Sequence, residues 1–205
     1  MLDSKASRWR FWALWVAASA AGAAAVTTLT RAAASAVGYS ADGAMDGPHL
    51  GGVVGDEAVL AVALVGFMAG IGTAQWLVIL RQVPWAGAWL LGNVVGGLAA
   101  GAVTYGVAMA LGGFEVPAAS NSGVVMGMTA LGTAHWLVLR RRAVRAHWLA
   151  FGAVAGLIGA AVGGGVLGEL VGGPISAGGG FGAGYGTVTG AAVVLVGSRA
   201  AASGP

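Results

Sequence analysis

GTAQWLVILR, residues 72–81, returns with small changes as GTAHWLVLRR, residues 132–141. Each copy sets one polar side chain, Gln75 or His135, in an otherwise apolar run that an arginine closes. Upstream of each copy the chain stays apolar, back to about residue 57 in one case and residue 121 in the other. A hydrocarbon core of ~30 Å takes about 20 helical residues to cross, so each run has the length of a membrane span. At each arginine comes a short turn, carrying further arginines in the second copy, and then a new apolar run, in which Trp89 in one copy answers Trp148 in the other. The unit is therefore a pair of helices joined at a basic turn, and the fold depends on how often it recurs.

Composition supports a membrane reading. Of 205 residues, 58% are hydrophobic and 8% charged, against roughly a quarter charged in an ordinary soluble domain. The 39 glycines follow no collagen-like period and lie within apolar segments, as packing residues do. The chain has no cysteine, which excludes disulfides, thiolate metal sites and a cysteine nucleophile. Six apolar runs are long enough for spans: about 11–36, 57–80, 86–111, 121–139, 147–171 and 175–197. The first has the basic flank and the small-x-small ending (Ala34-Ser35-Ala36) of a signal peptide, but its apolar stretch exceeds the usual length. It is expected to be retained as a first helix.

Charge placement orients these runs. With six alternating spans, Lys5, Arg8, Arg10, Arg81, Arg140, Arg141, Arg142, Arg145 and Arg199 share one side, and Arg31 lies on the other. Short loops rich in Lys and Arg stay cytoplasmic, so both termini are expected inside, in a bacterial plasma (inner) membrane. Asp42, Asp46, Asp56, Glu57, Glu115 and Glu169 fall outside, and Asp3 inside. The net charge of +3 thus reads as a topology signal, and nucleic acid is not an expected partner.

The expected fold class is an all-α integral membrane bundle of six transmembrane helices, built as three hairpin repeats at about 9–81, 85–141 and 145–199 within a single domain, 1–205. The third copy is weaker: GAAVVLVGSR, 190–199, keeps the Gly-to-Arg spacing but has Val193 where Gln75 and His135 stand. The first helix echoes the third, with Trp15, Ser19 and Gly22 against Trp89, Asn93 and Gly96. Lipid-embedded helices gain little from apolar burial against one another, so small residues that allow close backbone approach must hold the bundle. Gly178, Gly182, Gly186 and Gly190 form such a glycine zipper, expected to pack inside the chain, with a homodimer face as the alternative. Gly152 with Gly156, Gly159 with Gly163, Gly92 with Gly96 and Gly97 with Gly101 do the same on other runs.

All eight tryptophans fall near the arginine-bearing ends, where an indole at headgroup level fixes helix depth. Trp76, Trp89, Trp136 and Trp148 are the expected interface anchors. Gln75 and Asn93 are equally far from Pro84 and hence at nearly one depth, which suggests an interhelical amide pair. His135 has no such mirror partner, because Phe151 and Gly152 stand opposite. An ionisable group inside a span is a functional candidate, and a neutral imidazole can hold a tetrapyrrole or a metal, or relay a proton. His135 is thus the candidate cofactor-binding residue, weighed against a neutral histidine bonded to a backbone carbonyl. No cofactor can be named, and no catalytic or metal-ligating set is expected, since His49 and His147 lie in other regions.

The repeated Gly-Thr-Ala-Gln/His-Trp-Leu-Val-x-x-Arg unit resembles poorly characterised bacterial multi-pass membrane proteins with Gln-Trp-Leu-Val-Leu-Arg-type repeats; the resemblance covers about 57–171 and implies no established activity. SNSGVVMG, 120–127, resembles in part the serine segment of rhomboid-type intramembrane proteases, and AHWLAFGAVAG, 146–156, their histidine helix. That resemblance would pair Ser122 with His147, yet the two open helices on opposite sides of the membrane, whereas nucleophile and base must touch. Size and an Ala-rich first helix are similar to the substrate-binding subunits of energy-coupling-factor vitamin transporters, an analogy of fold alone. The acidic stretch 38–57, with His49, reads as a solvated connector.

The function expected is that of a non-enzymatic accessory or scaffolding subunit of a membrane complex, holding a lipid or pigment near the inner leaflet. Its expected partners are membrane lipids and either other membrane subunits or a second copy. The alternative is a small-solute transporter or membrane-embedded substrate-binding subunit; the lack of charged residues in mid-helix counts against ion-coupled transport.

Overall fold

The computed structural model describes residues 4–36, 56–113, 116–141 and 147–197. These form six helices: α1 Lys5–Ala36, α2 Asp56–Ile79, α3 Ala86–Ala110, α4 Pro117–Leu139, α5 His147–Val171 and α6 Pro174–Gly197. Boundaries fall where local chemistry puts them. Pro117 opens α4 in its first turn, where the missing N–H costs nothing. Gly112 and Gly113 follow α3, and Gly172 and Gly173 follow α5, all four at positive φ, the left-handed conformation that lets a chain leave a helix without a Cβ clash. The acidic stretch 38–57 with His49, Asp42 and Asp46, together with Glu115, Arg142, Arg145 and Arg199, lies outside the described residues or side chains.

Among the described residues, four helical stretches are long and apolar enough to cross a membrane: Ala6–Ala32, Ala86–Ala110, Asn121–Leu139 and His147–Val171; Val65–Ile79 of α2 is a shorter apolar stretch. The helices carry little polar surface to set against an apolar stripe, and large apolar side chains such as Leu98, Phe151, Ile158 and Leu170 point outward. Such exposure is a liability in water but not in lipid.

Each helix packs against its neighbours in the chain, and α6 returns to pack on α1, so the six contacts close a ring. Two buried clusters show how the helices run. One joins Phe11 and Trp15 of α1, Ile79 of α2, Trp89 of α3, Leu139 of α4, Leu149 of α5 and Val193 of α6. The other joins Ala23, then Met68 and Ile71, Ala100, Met128 and Leu131, Ala160, and Tyr185 of the same helices in order. Along α1 the chain passes from the first level to the second, along α2 it passes back, and so on, so successive helices are antiparallel. The first level lies at the end bearing Arg8, Arg10, Arg81, Arg140 and Arg141.

Glycine sets the spacing. The 178–190 stripe lies on α1: a Cβ on Gly186 would lie 2.7 Å from Ser19 Cβ, and one on Gly190 2.8 Å from Trp15 Cδ1, while Gly178 and Gly182 meet Thr27 and the Ser19 carbonyl. The zipper is an intramolecular contact, as expected. The other side of α6 meets α5, with Gly184 against the Gly159 carbonyl and Gly180 against the Gly163 carbonyl. Three glycines, one each on α1, α3 and α5, pack on the helix that follows, through different atoms. Gly22 faces Ile71 across α1–α2 at 3.1 Å, Gly96 faces Leu131 across α3–α4 at 2.6 Å, and Gly156 faces Thr189 across α5–α6 at 3.2 Å, each measured from an added Cβ. Ile71, Leu131 and Thr189 each immediately precede the first glycine of a repeat copy.

Candidate functional site

Polar side chains gather at and just below the arginine-bearing level. Ser19, Gln75, Asn93, His135 and Thr189 are all buried, contributed by α1, α2, α3, α4 and α6. A helical Ser or Thr can return its hydroxyl proton to the carbonyl one turn back. Ser19 does so to Trp15 at 2.8 Å and Thr189 to Tyr185 at 2.9 Å. Each hydroxyl oxygen then remains an acceptor. Ser19 Oγ accepts from Gln75 Nε2 at 2.9 Å, and Thr189 Oγ1 accepts from Trp15 Nε1 at 3.1 Å. These two bonds tie α1 to α2 and to α6.

The amide pair expected between Gln75 and Asn93 is replaced by other partners. Gln75 turns to Ser19, while Asn93 Nδ2 donates to the Trp89 carbonyl at 3.0 Å and its side chain lies over Gly72. The reason is azimuth. Gln75 is three residues beyond Gly72, about 300° around a helix of 3.6 residues per turn, so it faces α1 while Gly72 faces α3.

His135 is 3% exposed. Its Nδ1 lies 3.0 Å from the Leu131 carbonyl; because a carbonyl can only accept, the proton of the neutral ring is on Nδ1. The ring lies 4.6 Å, centre to centre, from Trp89, and a Cβ on Gly92 would come within 3.0 Å of His135 Cδ2. The space that accommodates His135 is thus made by Gly92 of α3, not by Gly152, which faces Ala192 of α6. A planar tetrapyrrole on His135 would have to displace Trp89 or α3.

The anchor tryptophans separate into two kinds. Trp136 and Trp148 are 37% and 46% exposed, and the Arg140 guanidinium carbon sits 5.6 Å from the Trp136 ring centre. Trp89 is 4% exposed and meets Trp15 edge-on at 5.1 Å, so it is a core residue rather than an anchor. Trp76 is half-buried with its Nε1 enclosed. Four enclosed polar atoms near this level have no hydrogen-bond partner: Gln75 Oε1, Trp76 Nε1, Trp89 Nε1 and His135 Nε2. Sequence reasoning passed over Ser19, Trp15 and Thr189 as site residues. The signal was the Trp15–Ser19–Gly22 echo of Trp89–Asn93–Gly96, which places Ser19 at the depth of the repeat's polar position.

Ser122 and His147 each lie at the start of successive antiparallel helices and therefore at opposite ends of the bundle. The pairing that a rhomboid-type resemblance implies is not formed. Among the described residues, no group of three His, Asp or Glu side chains could hold a metal ion.

Fold and composition together define a membrane-embedded helical protein. No protein-family model, no curated protein and no solved structure matches the chain.

Proposed function

We propose that the chain crosses a bacterial plasma membrane six times, as three hairpin repeats with both termini cytoplasmic. In this reading it serves as a non-enzymatic accessory or scaffolding subunit that holds acidic lipid at its arginine- and tryptophan-bearing end. The packing of Gly22, Gly96 and Gly156 each on the helix that follows supports the repeat. The orientation follows from exposed Arg10, Arg81, Arg140 and Arg141 at one end, since short basic loops stay inside.

The observation that carries the functional reading is the filled axis. Trp15, Met68, Ile71, Ile79, Met128, Leu131 and Leu139 are almost wholly enclosed, and they join both levels across the ring. What such a body offers to other molecules is its outer surface. A transporter or substrate-binding subunit would need an opening along this axis, which the packing at both levels works against. At the surface, Trp136 with Arg140 above it, exposed Arg141 and exposed Trp148 combine an apolar plane at headgroup depth with fixed positive charge. Basic side chains near an anionic leaflet contribute about 1 kcal/mol each.

Native mass spectrometry after gentle extraction tests this. The expected result is a chain carrying phosphatidylglycerol or cardiolipin, alone or with a partner subunit, and an R140Q/R141Q variant that retains several-fold less acidic lipid. A lipid-free monomer, or equal retention of phosphatidylcholine and phosphatidylglycerol from mixed micelles, would overturn the proposal.

A further inference from the structure

Aligned on the first glycine, the repeat copies turn the same positions inward. On α2, residues 71, 72, 75 and 79 are buried while 73, 77 and 80 are exposed; on α4, residues 131, 132, 135 and 139 are buried while 133, 137 and 140 are exposed. Every copy closes on an arginine nine residues beyond that glycine: 72 to Arg81, 132 to Arg141, 190 to Arg199. Retention of basic turns on the cytoplasmic side accounts for an arginine that all copies share. It does not by itself require Arg140, whose counterparts are Leu80 and Ser198. The tryptophan one turn earlier is Trp76 in the first copy and Trp136 in the second, and Val194 replaces it in the third. Only the second copy therefore has both members of a Trp–Arg pair at this spacing.

Residues four apart share a helix face, and helical side chains lean toward the N-terminus. Arg140 thus leans back from the end of α4 onto Trp136, its guanidinium carbon 5.6 Å from the ring centre. The indole holds the guanidinium plane from one side and leaves its N–H edges to fork onto a phosphate. Glu169, the acid on the neighbouring α5, stands near the far end of that helix and does not compete. Below the pair, Thr133, Thr129 and Val125 continue the exposed face of Trp136. Both threonines return their hydroxyl protons to carbonyls one turn back, at 2.8 and 2.9 Å, so the strip shows a lipid chain no free donor. From Trp136 to Val125 is about 16 Å along the axis, roughly one leaflet's share of a ~30 Å hydrocarbon core. Phosphate above and an apolar chain below are the two parts of a phospholipid.

We infer that Trp136 and Arg140 form a site for one anionic phospholipid, with its phosphate on Arg140 and an acyl chain along the strip from Trp136 to Val125. Arg140 is the residue that confines this site to α4, because α2 offers Trp76 with a leucine above it. The site rests on the lipid-holding role proposed above and narrows it from a basic surface to one residue pair.

The test is native mass spectrometry of the full chain equilibrated with mixed micelles of phosphatidylglycerol and phosphatidylcholine. One retained phosphatidylglycerol per chain is expected. Arg140→Leu, which installs the residue that the first copy carries at this exposed position, should lower that retention about tenfold or more, as loss of a charge-assisted hydrogen bond implies. Arg141→Leu should lower it about fivefold or less, the share of one surface charge near an anionic leaflet. Arg140→Lys keeps the charge but not the planar fork and should lose most of the retention too, as should Trp136→Leu. Full retention by Arg140→Lys, or equal losses in Arg140→Leu and Arg141→Leu, would overturn the site and leave the broader lipid-holding role intact. Equal retention of the two lipids by the unaltered chain would overturn both. Displacement of the lipid by millimolar inorganic phosphate would make a free anion the ligand, and so would overturn the assignment to a phospholipid.

Discussion

Gly184→Val is expected to abolish the folded, monodisperse protein, or to lower its stability by at least the upper part of the ~1–3 kcal/mol that overpacking usually costs. A Cβ at Gly184 would run into the Gly159 carbonyl and the Ala160 backbone on α5, and the neighbouring Gly163–Gly180 contact is nearly as close. Backbone atoms cannot swing aside as a flexible side chain can, so relief requires α5 and α6 to separate. That would remove the dispersion contacts which hold helices together in lipid. Gly165→Val supplies the control: it places the same side chain on α5 with nothing within 4 Å of its Cβ. Valine has a better intrinsic helix propensity than glycine, so the control should be neutral or slightly stabilising. Thermal unfolding and size exclusion in one detergent measure both variants. Equal behaviour of the two would remove close backbone approach from the explanation of this fold.

Trp15→Ala should cost about 3–5 kcal/mol, the range for truncating a fully enclosed tryptophan. Its ring is 0% exposed, meets Trp89 edge-on, faces Gly190 and donates to Thr189 at 3.1 Å. Truncation opens a cavity where α1, α3 and α6 converge and breaks the hydrogen bond that holds the ring shut. Trp9→Ala removes the same group from a position 58% exposed, and its effect on unfolding should stay within about 0.5 kcal/mol. A denaturant series on the two variants checks the contrast. If they proved equally mild, Trp15 would be acting as a headgroup anchor and the clustered core would lose its keystone.

These two contrasts show where the sequence was legible. Helix limits could be read closely because apolar runs end at arginines, prolines and paired glycines. The end of the bundle at which Arg8, Arg10, Arg81, Arg140 and Arg141 lie followed from counting runs. The spacing of Gly178, Gly182, Gly186 and Gly190 points to a close helix contact, and the stripe lies against α1. Depth could be counted from Pro84, and so Gln75 and Asn93 share a level. Azimuth could not, because apolar residues encircle every helix and leave no stripe to mark the inward face. Counting depth therefore pairs Gln75 with Asn93 rather than Ser19, and sets Phe151 and Gly152 rather than Gly92 opposite His135. The same gap made Trp89 look like an anchor: its distance from the helix end suits a headgroup, and only its direction takes it into the core. Ser19 was hidden for a further reason. Its helix and α2 are not joined by a short hairpin whose centre could be read from the sequence, as Pro84 is for Gln75 and Asn93.

Because the chain has no cysteine, its course through the membrane can be read one position at a time. Single cysteines at Ser4, Pro84, Leu111 and Val171, all exposed positions, would be challenged in intact cells with a membrane-impermeant maleimide and again after permeabilisation. Six crossings with the arginine-bearing end inside predict that positions 111 and 171 react in intact cells. Positions 4 and 84 should react only once the membrane is opened. Labelling of 84 and 111 from the same side would contradict the account, because α3 joins them and would then not cross at all.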